Sequence, residues 1–213
     1  MHQLTFYFDV ISPYAYLAFE KLPQVLQGLS YQVRYQPVLF GGLLKHHGQL
    51  GPVEVVGKRE WTYRQSVWLG KELGMELQLP SVHPFNPLPL LRLAIACDPQ
   101  GHPNRFVCES LFKFVWSSGE NPSDHHRLAE LTAQLQPDRS PDADDVKLQL
   151  RDATAQAITD GVFGVPTVRV DDQIFWGLDA LPMLRQYLDG DDWFKSPAWT
   201  DAGKLEVGIV RKR

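Results

Sequence analysis

The chain has 213 residues, 44% of them hydrophobic and 22% charged, ordinary globular usage that excludes a chain disordered throughout and allows a substantial core. Its formal net charge of -4 offers no long-range attraction to nucleic acid or an anionic membrane, and no run of about 18 apolar residues is present to span a bilayer. MHQLTFYFD meets an acid at Asp9 before any signal-like apolar stretch, so the protein is expected to be cytoplasmic.

LTFYFDV, residues 4–10, has the β-branched and aromatic residues of a strand, and Ser12-Pro13 opens a helix running to about Gln27. YQVRYQPVL, 31–39, predicts a second strand. Strand, helix, strand in this order makes a βαβ unit with parallel pairing and a right-handed crossover.

From Gly41 to about Asp144 the β signal disappears and helical patterns follow one another between Pro and Gly punctuation. EWTYRQSVWLGKEL sets Trp61, Trp68, Leu69 and Leu73 on one helical face; NRFVCESLFKFVW does the same with Phe106, Val107, Leu111, Phe114 and Val115. Both stripes are expected in the core. Cys97 and Cys108, each within a helical pattern, are expected to be buried thiols rather than a redox pair. His46-His47 and His125-His126 have no ligand at i+3 or i+4 to complete a metal face, so no metal site is expected.

QPDRSPDADD, 136–145, is a polar loop before a helix over about 145–160, closed by Gly161. Thr167 to Val170 and Gln173 to Trp176 flank Asp171-Asp172, a hairpin spacing. Asp179 can cap a last helix, ALPMLRQYL, and the chain from Gly190 is expected to be a short polar extension. The fold class is therefore α/β: a small sheet interrupted between residues 41 and 144 by a large helical insertion and resumed over 145–213.

Three polar features stand at element boundaries: Ser12 after the first strand, GVFGVPT at 161–167 before the third, and WGLD at 176–179 after the fourth. Ligands of α/β sheets gather beyond the carboxyl ends of strands, near helix N-termini. Taken alone, Ser12 is either a helix cap or a hydroxyl that donates to an anion held at the positive end of the helix. No GxSxG elbow and no marked base accompany it, which argues against an activated serine nucleophile.

FDVISPYAYLA followed downstream by GVFGVPTVRVDDQIFWGLDAL, with GGLLKHHG, GKREWTYRQ and HPFNPLPLLRLA between them, resembles the family of kappa-class glutathione transferases and bacterial 2-hydroxychromene-2-carboxylate isomerases, relatives of the DsbA-type thioredoxin-fold oxidoreductases. The resemblance covers nearly the whole chain. It implies a thioredoxin-like domain (1–40 and 145–213) interrupted by an all-helical domain (41–144), with glutathione between them. It places Ser12 where a redox cysteine would stand, next to the glutathione sulfur; a helix N-terminus and a hydroxyl both favour a thiolate. SPYA in place of CxxC argues against a dithiol oxidoreductase.

By the same resemblance Pro166 is a cis-proline that leaves the backbone of Val165 open to the cysteinyl part of glutathione, as an added strand; an ordinary proline at a strand start is the plain alternative. Asp179, beside Leu178, corresponds to the acid that takes the γ-glutamyl ammonium, Lys58 to a lysine near the glycyl carboxylate, and Gln49 stands where asparagine is usual. Asn86 and Arg92 correspond to the side of the cavity that takes substrate, and Phe40, Trp61 and Trp68 are offered for its apolar wall, with capping, solvation and core packing as their plain alternatives.

The implied activity is a glutathione-dependent isomerisation in aromatic-ring degradation: the thiolate adds to an activated carbon, a locked double bond becomes a rotatable single bond, and the thiolate leaves. Conjugation or peroxide reduction by a kappa-like transferase is the alternative at the same site, and a non-catalytic thioredoxin-like binding module is the alternative of another class. The implied partners are glutathione and a small aromatic substrate, with a possible homodimer and no nucleic acid, membrane or metal.

Overall fold

The computed structural model describes residues 1–209. Its elements run β1 (His2–Phe8), α1 (Pro13–Val25), β2 (Tyr31–Pro37), α2 (Phe40–His47), α3 (Lys58–Glu72), α4 (Leu88–Ala96), α5 (Arg105–Trp116), α6 (His125–Leu135), α7 (Asp144–Thr159), β3 (Thr167–Val170), β4 (Gln173–Trp176), α8 (Leu181–Leu188) and α9 (Pro197–Ala202). The four strands form one mixed sheet in the order β2-β1-β3-β4. β1 pairs parallel with β2, from His2 opposite Tyr31 to Phe8 opposite Pro37, and antiparallel with β3, Tyr7 facing Thr167. The carboxyl ends of β1 and β2 and the amino end of β3 thus meet at one end of the sheet.

Alternation along β1 divides the core. Leu4, Phe6 and Phe8 enter a large cluster with residues of α1, α4, α5 and α8, whereas Tyr7 joins a smaller one on the other face with Leu43 of α2 and Ala157 of α7. Successive strand residues point to opposite faces, so a sheet covered on both sides needs apolar residues at each position.

β1 stops at Phe8 rather than Val10, because the next two residues turn out of the ladder around the Asp9 carboxylate. Between β2 and β3 the described residues form no strand, in line with the expected helical stretch. The β3–β4 hairpin turns on Asp171, at φ 51, a left-handed conformation that Asp tolerates better than most residues.

The packing of α3 differs from its apolar pattern. Trp61 is 64% exposed and Trp68 55%, and the buried positions are Thr62, Ser66 and Gly70, spaced four apart. Small residues at that spacing let a helix pack closely, and the tryptophans are turned out to its flank. On α5, Val107, Leu111 and Val115 are buried as expected, but Phe106 is exposed.

Residues 192–202 form regular structure that the polarity of the stretch after Gly190 does not suggest. A short 3-10 turn (Asp192–Lys195) and α9 stack Trp193, Phe194 and Trp199 together, and Phe194 reaches the core beside Phe175 and Tyr187. Cys108 is buried and Cys97 half-buried; burial raises the pKa of both thiols, Cys97 to about 11. No helix among the described residues is long and apolar enough to cross a membrane, and no group of three or more potential metal ligands occurs among them.

Candidate active site

Ser12 is the N-cap of α1: its Oγ accepts from the Ala15 N–H at 3.2 Å, with Pro13 in the first turn. Its residue is 8% exposed, and no hydrogen bond donated by its hydroxyl occurs among the described residues. The first turn of α1 carries no acid, so the positive end of the helix is not neutralised from within.

The two peptide units before Ser12 are held on every polar group. The Val10 carbonyl accepts from the indole Nε1–H of Trp116 at 2.8 Å, and the Ile11 N–H donates to Asp9 Oδ1 at 3.0 Å. The Ile11 carbonyl bonds His83 Nε2 at 2.8 Å, and the Ser12 N–H donates to the Asp9 carbonyl at 3.1 Å. Two of these partners, His83 and Trp116, come from the helical stretch between β2 and β3.

Asp9, which the sequence left without a role, is fully buried and joins two hinges. Its second oxygen accepts from the N–H of Phe40, the first residue of α2, at 2.9 Å. Burial pushes its carboxyl up to about 7, and the two N–H bonds hold it back. His83 in turn meets Tyr63, whose hydroxyl lies 2.8 Å from Nδ1, and the His83 carbonyl accepts from Arg59 at 3.3 Å.

Facing this hinge across the sheet end is the loop into β3. Val165-Pro166 is a cis peptide, as expected. The Pro166 carbonyl accepts from the Gly177 N–H at 2.9 Å, and the Val165 side chain is buried beside Val38, Leu43 and Val162. Neither the N–H nor the carbonyl of Val165 has a hydrogen-bond partner among the described residues. Trp176 lies over the preceding glycine: a Cβ on Gly164 would stand 2.6 Å from its Nε1.

Asp179 does not cap α8. It sits in a 3-10 turn (Leu178–Ala180), and α8 starts after it without a side-chain cap. Its carboxylate folds back over Gly177, at φ 97, where a Cβ would collide with it; it is exposed and has no ion pair among the described residues. The reason is that the chain tightens into a 3-10 turn before α8, which puts Ala180 at the capping position and leaves Asp179 one residue before it. A cavity of about 430 Å³ lies between α1, α3 and this turn, lined by Lys21, Leu69, Leu73, Leu178, Asp179 and Leu181 among others.

The remaining predicted residues are placed unevenly. Lys58 opens α3, exposed and without an ion pair among the described residues, next to the Arg59 that reaches the His83 carbonyl. Asn86 accepts from the Leu88 N–H at 3.1 Å, the plain turn-forming role. Arg92, half-buried on α4, has a buried Nε with no partner. Gln49 is exposed after α2, and no contact of its side chain ties it to Ser12. Neither Trp61 nor Trp68 lines the cavity, and Ser12 lies outside its lining. A second cavity of about 500 Å³, between α5 and α6, includes none of these residues.

The sequence reading missed His83, Trp116 and Tyr63. Trp116 was a stripe end and His83 a loop residue before Pro84, and nothing local marks a bond made to a residue 72 or 106 positions away.

A model of the DSBA-like thioredoxin domain matches residues 3–189. A 2-hydroxychromene-2-carboxylate isomerase of Sphingobium xenophagum is 29% identical over 194 residues, covering 87% of this chain and 97% of that one. Glutathione S-transferase kappa 2 of Caenorhabditis elegans is 25% identical over 211 residues, 90% of this chain and 93% of the relative. Among solved structures, a 2-hydroxychromene-2-carboxylate isomerase superposes with a TM-score of 0.76 at 22% identity, covering 96% of this chain and all of the other. The cytosolic disulfide reductase DsbM of Pseudomonas aeruginosa, solved with GSH, gives 0.56 at 17% identity over 95% of this chain and all of the other.

Proposed function

The chain belongs to the family of DSBA-like thioredoxin domains, and on that premise we propose that it is a glutathione-dependent isomerase acting on a 2-hydroxychromene-2-carboxylate or a related aromatic-degradation intermediate. The observation that carries the reading is the Ser12 hydroxyl: capped into place at the unneutralised N-terminus of α1, it keeps its proton for an anion, opposite the open backbone of Val165. The isomerases and kappa-class transferases among its relatives support the chemistry.

The residues present suit the tripeptide. Val165 would pair its N–H and carbonyl with the cysteinyl unit, Asp179 would take the γ-glutamyl ammonium, and Lys58 would take the glycyl carboxylate, each being uncommitted among the described residues. Bound there, glutathione supplies a thiolate that adds reversibly to an electron-poor carbon of the substrate and makes a fixed double bond rotatable.

The chain's own part is electrostatic and positional. Ser12 donates its proton toward the sulfur, and the α1 terminus favours the negative charge on it. The bonds from Asp9, His83 and Trp116 hold the hinge still, so that no reorganisation is needed when the charge develops. Arg92 stands on the helix offered for the substrate side, and its unpaired Nε suits a substrate carboxylate.

The kappa-class relative favours a second reading at the same site, conjugation or peroxide reduction. Incubation with a 2-hydroxychromene-2-carboxylate, with and without glutathione, separates the two. Isomerisation that needs glutathione and returns it unchanged is the expected result. A stable glutathione adduct would replace the isomerase reading by the transferase, and inertness in every arm would leave a binding module.

A further inference from the structure

The Ser12 hinge is gripped from the segment between α3 and α4 by one ring, that of His83, whose part can be made specific. His83 Nε2 lies 2.8 Å from the Ile11 carbonyl, an oxygen that can only accept, so Nε2 carries the hydrogen. Nδ1 is then left as an acceptor, and the Tyr63 hydroxyl, 2.8 Å from it and 3.1 Å from the His83 carbonyl, shares its one hydrogen between these two acceptors. Burial lowers the pKa of the ring, with the Arg59 guanidinium adding to the effect, against the Ile11 bond, which favours the charged form. The neutral ring with hydrogen on Nε2 is the form these contacts fit.

We infer that His83 is a positioning residue for Ser12: its Nε2–H holds the carbonyl of the peptide unit whose N–H belongs to Ser12, and so fixes the direction in which the hydroxyl is presented. This rests on Ser12 being the partner of a glutathione thiolate. The peptide plane has only two soft torsions beside it, so a carbonyl pinned on one side and an N–H pinned by the Asp9 carbonyl on the other leave the serine backbone little freedom. The ring is itself set between Tyr63, Phe85 and Trp116, with centroids 5.5, 6.0 and 5.4 Å away. Tyr63 belongs to α3, and Arg59, next to Lys58 in the first turn of that helix, bonds the His83 backbone. The helix that offers a cation to the tripeptide is therefore joined to the hinge that faces its sulfur.

Packing alone would be satisfied by any ring at 83, whereas the hydrogen bond needs a donor at the Nε2 position. His83→Phe keeps the ring and removes the donor; His83→Gln restores an N–H at about the same distance from the backbone. The thiol pKa of bound glutathione, read by thiolate absorbance, should rise by about 0.5–1 unit in His83→Phe, the worth of one hydrogen bond, and return most of the way in His83→Gln. Because His83 acts through Ser12, adding His83→Phe to Ser12→Ala should shift the pKa no further than Ser12→Ala alone. An unchanged pKa in His83→Phe, an equal shift in the Ser12→Ala background, or no recovery in His83→Gln would overturn the assignment.

Imidazole nitrogen NMR of the unmutated protein tests it without any variant: hydrogen on Nε2 is expected, and hydrogen on Nδ1 would overturn it. Should the wild-type protein bind no glutathione, the functional reading fails by itself. Amide exchange at Ile11 and Ser12 then judges the clamp, faster exchange in His83→Phe with recovery in His83→Gln supporting it and equal exchange refuting it.

Discussion

The two loops that meet at the end of the sheet are finished in opposite ways. In the hinge from β1 to α1, all four polar groups of the two peptides before Ser12 have protein partners. In the loop into β3, the N–H and carbonyl of Val165 have none among the described residues, although its side chain is buried. A buried backbone group without a partner is costly, and under the proposed function this pair is the one that the cysteinyl unit of glutathione would complete. One loop has its backbone groups paired within the protein and the other does not, and the proposed function uses both, the first to fix the hydroxyl and the second to take the ligand.

The firmest way to break the closed hinge is to remove its buried acid. The folded pKa of Asp9, about 7, lies above the ordinary 3.8, so between those values the folded protein keeps a proton that the unfolded chain has released. Stability from this group is complete below about pH 4 and is lost as pH rises to about 7, roughly 4 kcal/mol at most. Asp9→Asn should flatten that slope in urea midpoints taken from pH 4 to 8, and an unaltered slope would count against the burial argument. His83 acts in the opposite sense: its pKa lies below 6.5, so its contribution is lost as pH falls under that value.

Trp116→Phe attacks the same hinge from the core. It strands the Val10 carbonyl and leaves space behind, and should cost about 3 kcal/mol of unfolding free energy. Equal stability would mean that the carbonyl finds water.

On the open side, Gly177→Ala introduces a Cβ at φ 97, in the way of the Asp179 carboxylate. About 2 kcal/mol of stability should be lost, together with affinity for glutathione, since Asp179 must move. A stable variant with unchanged glutathione affinity, measured by calorimetry, would remove Asp179 from the site. The smallest structural effect is expected at Lys58: Lys58→Ala should alter stability by less than about 0.5 kcal/mol while weakening glutathione binding about 3- to 10-fold, the range of one lost polar contact.

The same contrast explains what could be read from the sequence. Ser12-Pro13 announced a helix start because capping is chemistry between near neighbours, and the β3–β4 turn was legible for the same reason. The cis peptide at Pro166 was legible as part of a resemblance. Yet the capping role first allowed for Asp179 gave way to a 3-10 turn that local pattern does not encode. The closed hinge was not legible at all: Asp9, His83 and Trp116 act on backbone groups, which are identical in every residue and leave no mark on the side-chain pattern. The α3 face failed for a related reason. Periodicity found its large apolar residues, but its packing is set by Thr62, Ser66 and Gly70, where what matters is how close another helix can come. Trp193, Phe194 and Trp199 stand beyond Gly190 in the sequence, but the polar residues around them made that stretch read as a short polar extension, and their packing was not foreseen.

The central claim is that Ser12 steadies a sulfur anion carried in by the ligand. Ultraviolet titration of wild type and Ser12→Ala with glutathione, following thiolate absorbance across pH 5 to 9, tests it most directly. The account predicts a lower thiol pKa on the wild-type protein than on Ser12→Ala. The same pKa on both, with glutathione bound to each, would contradict it.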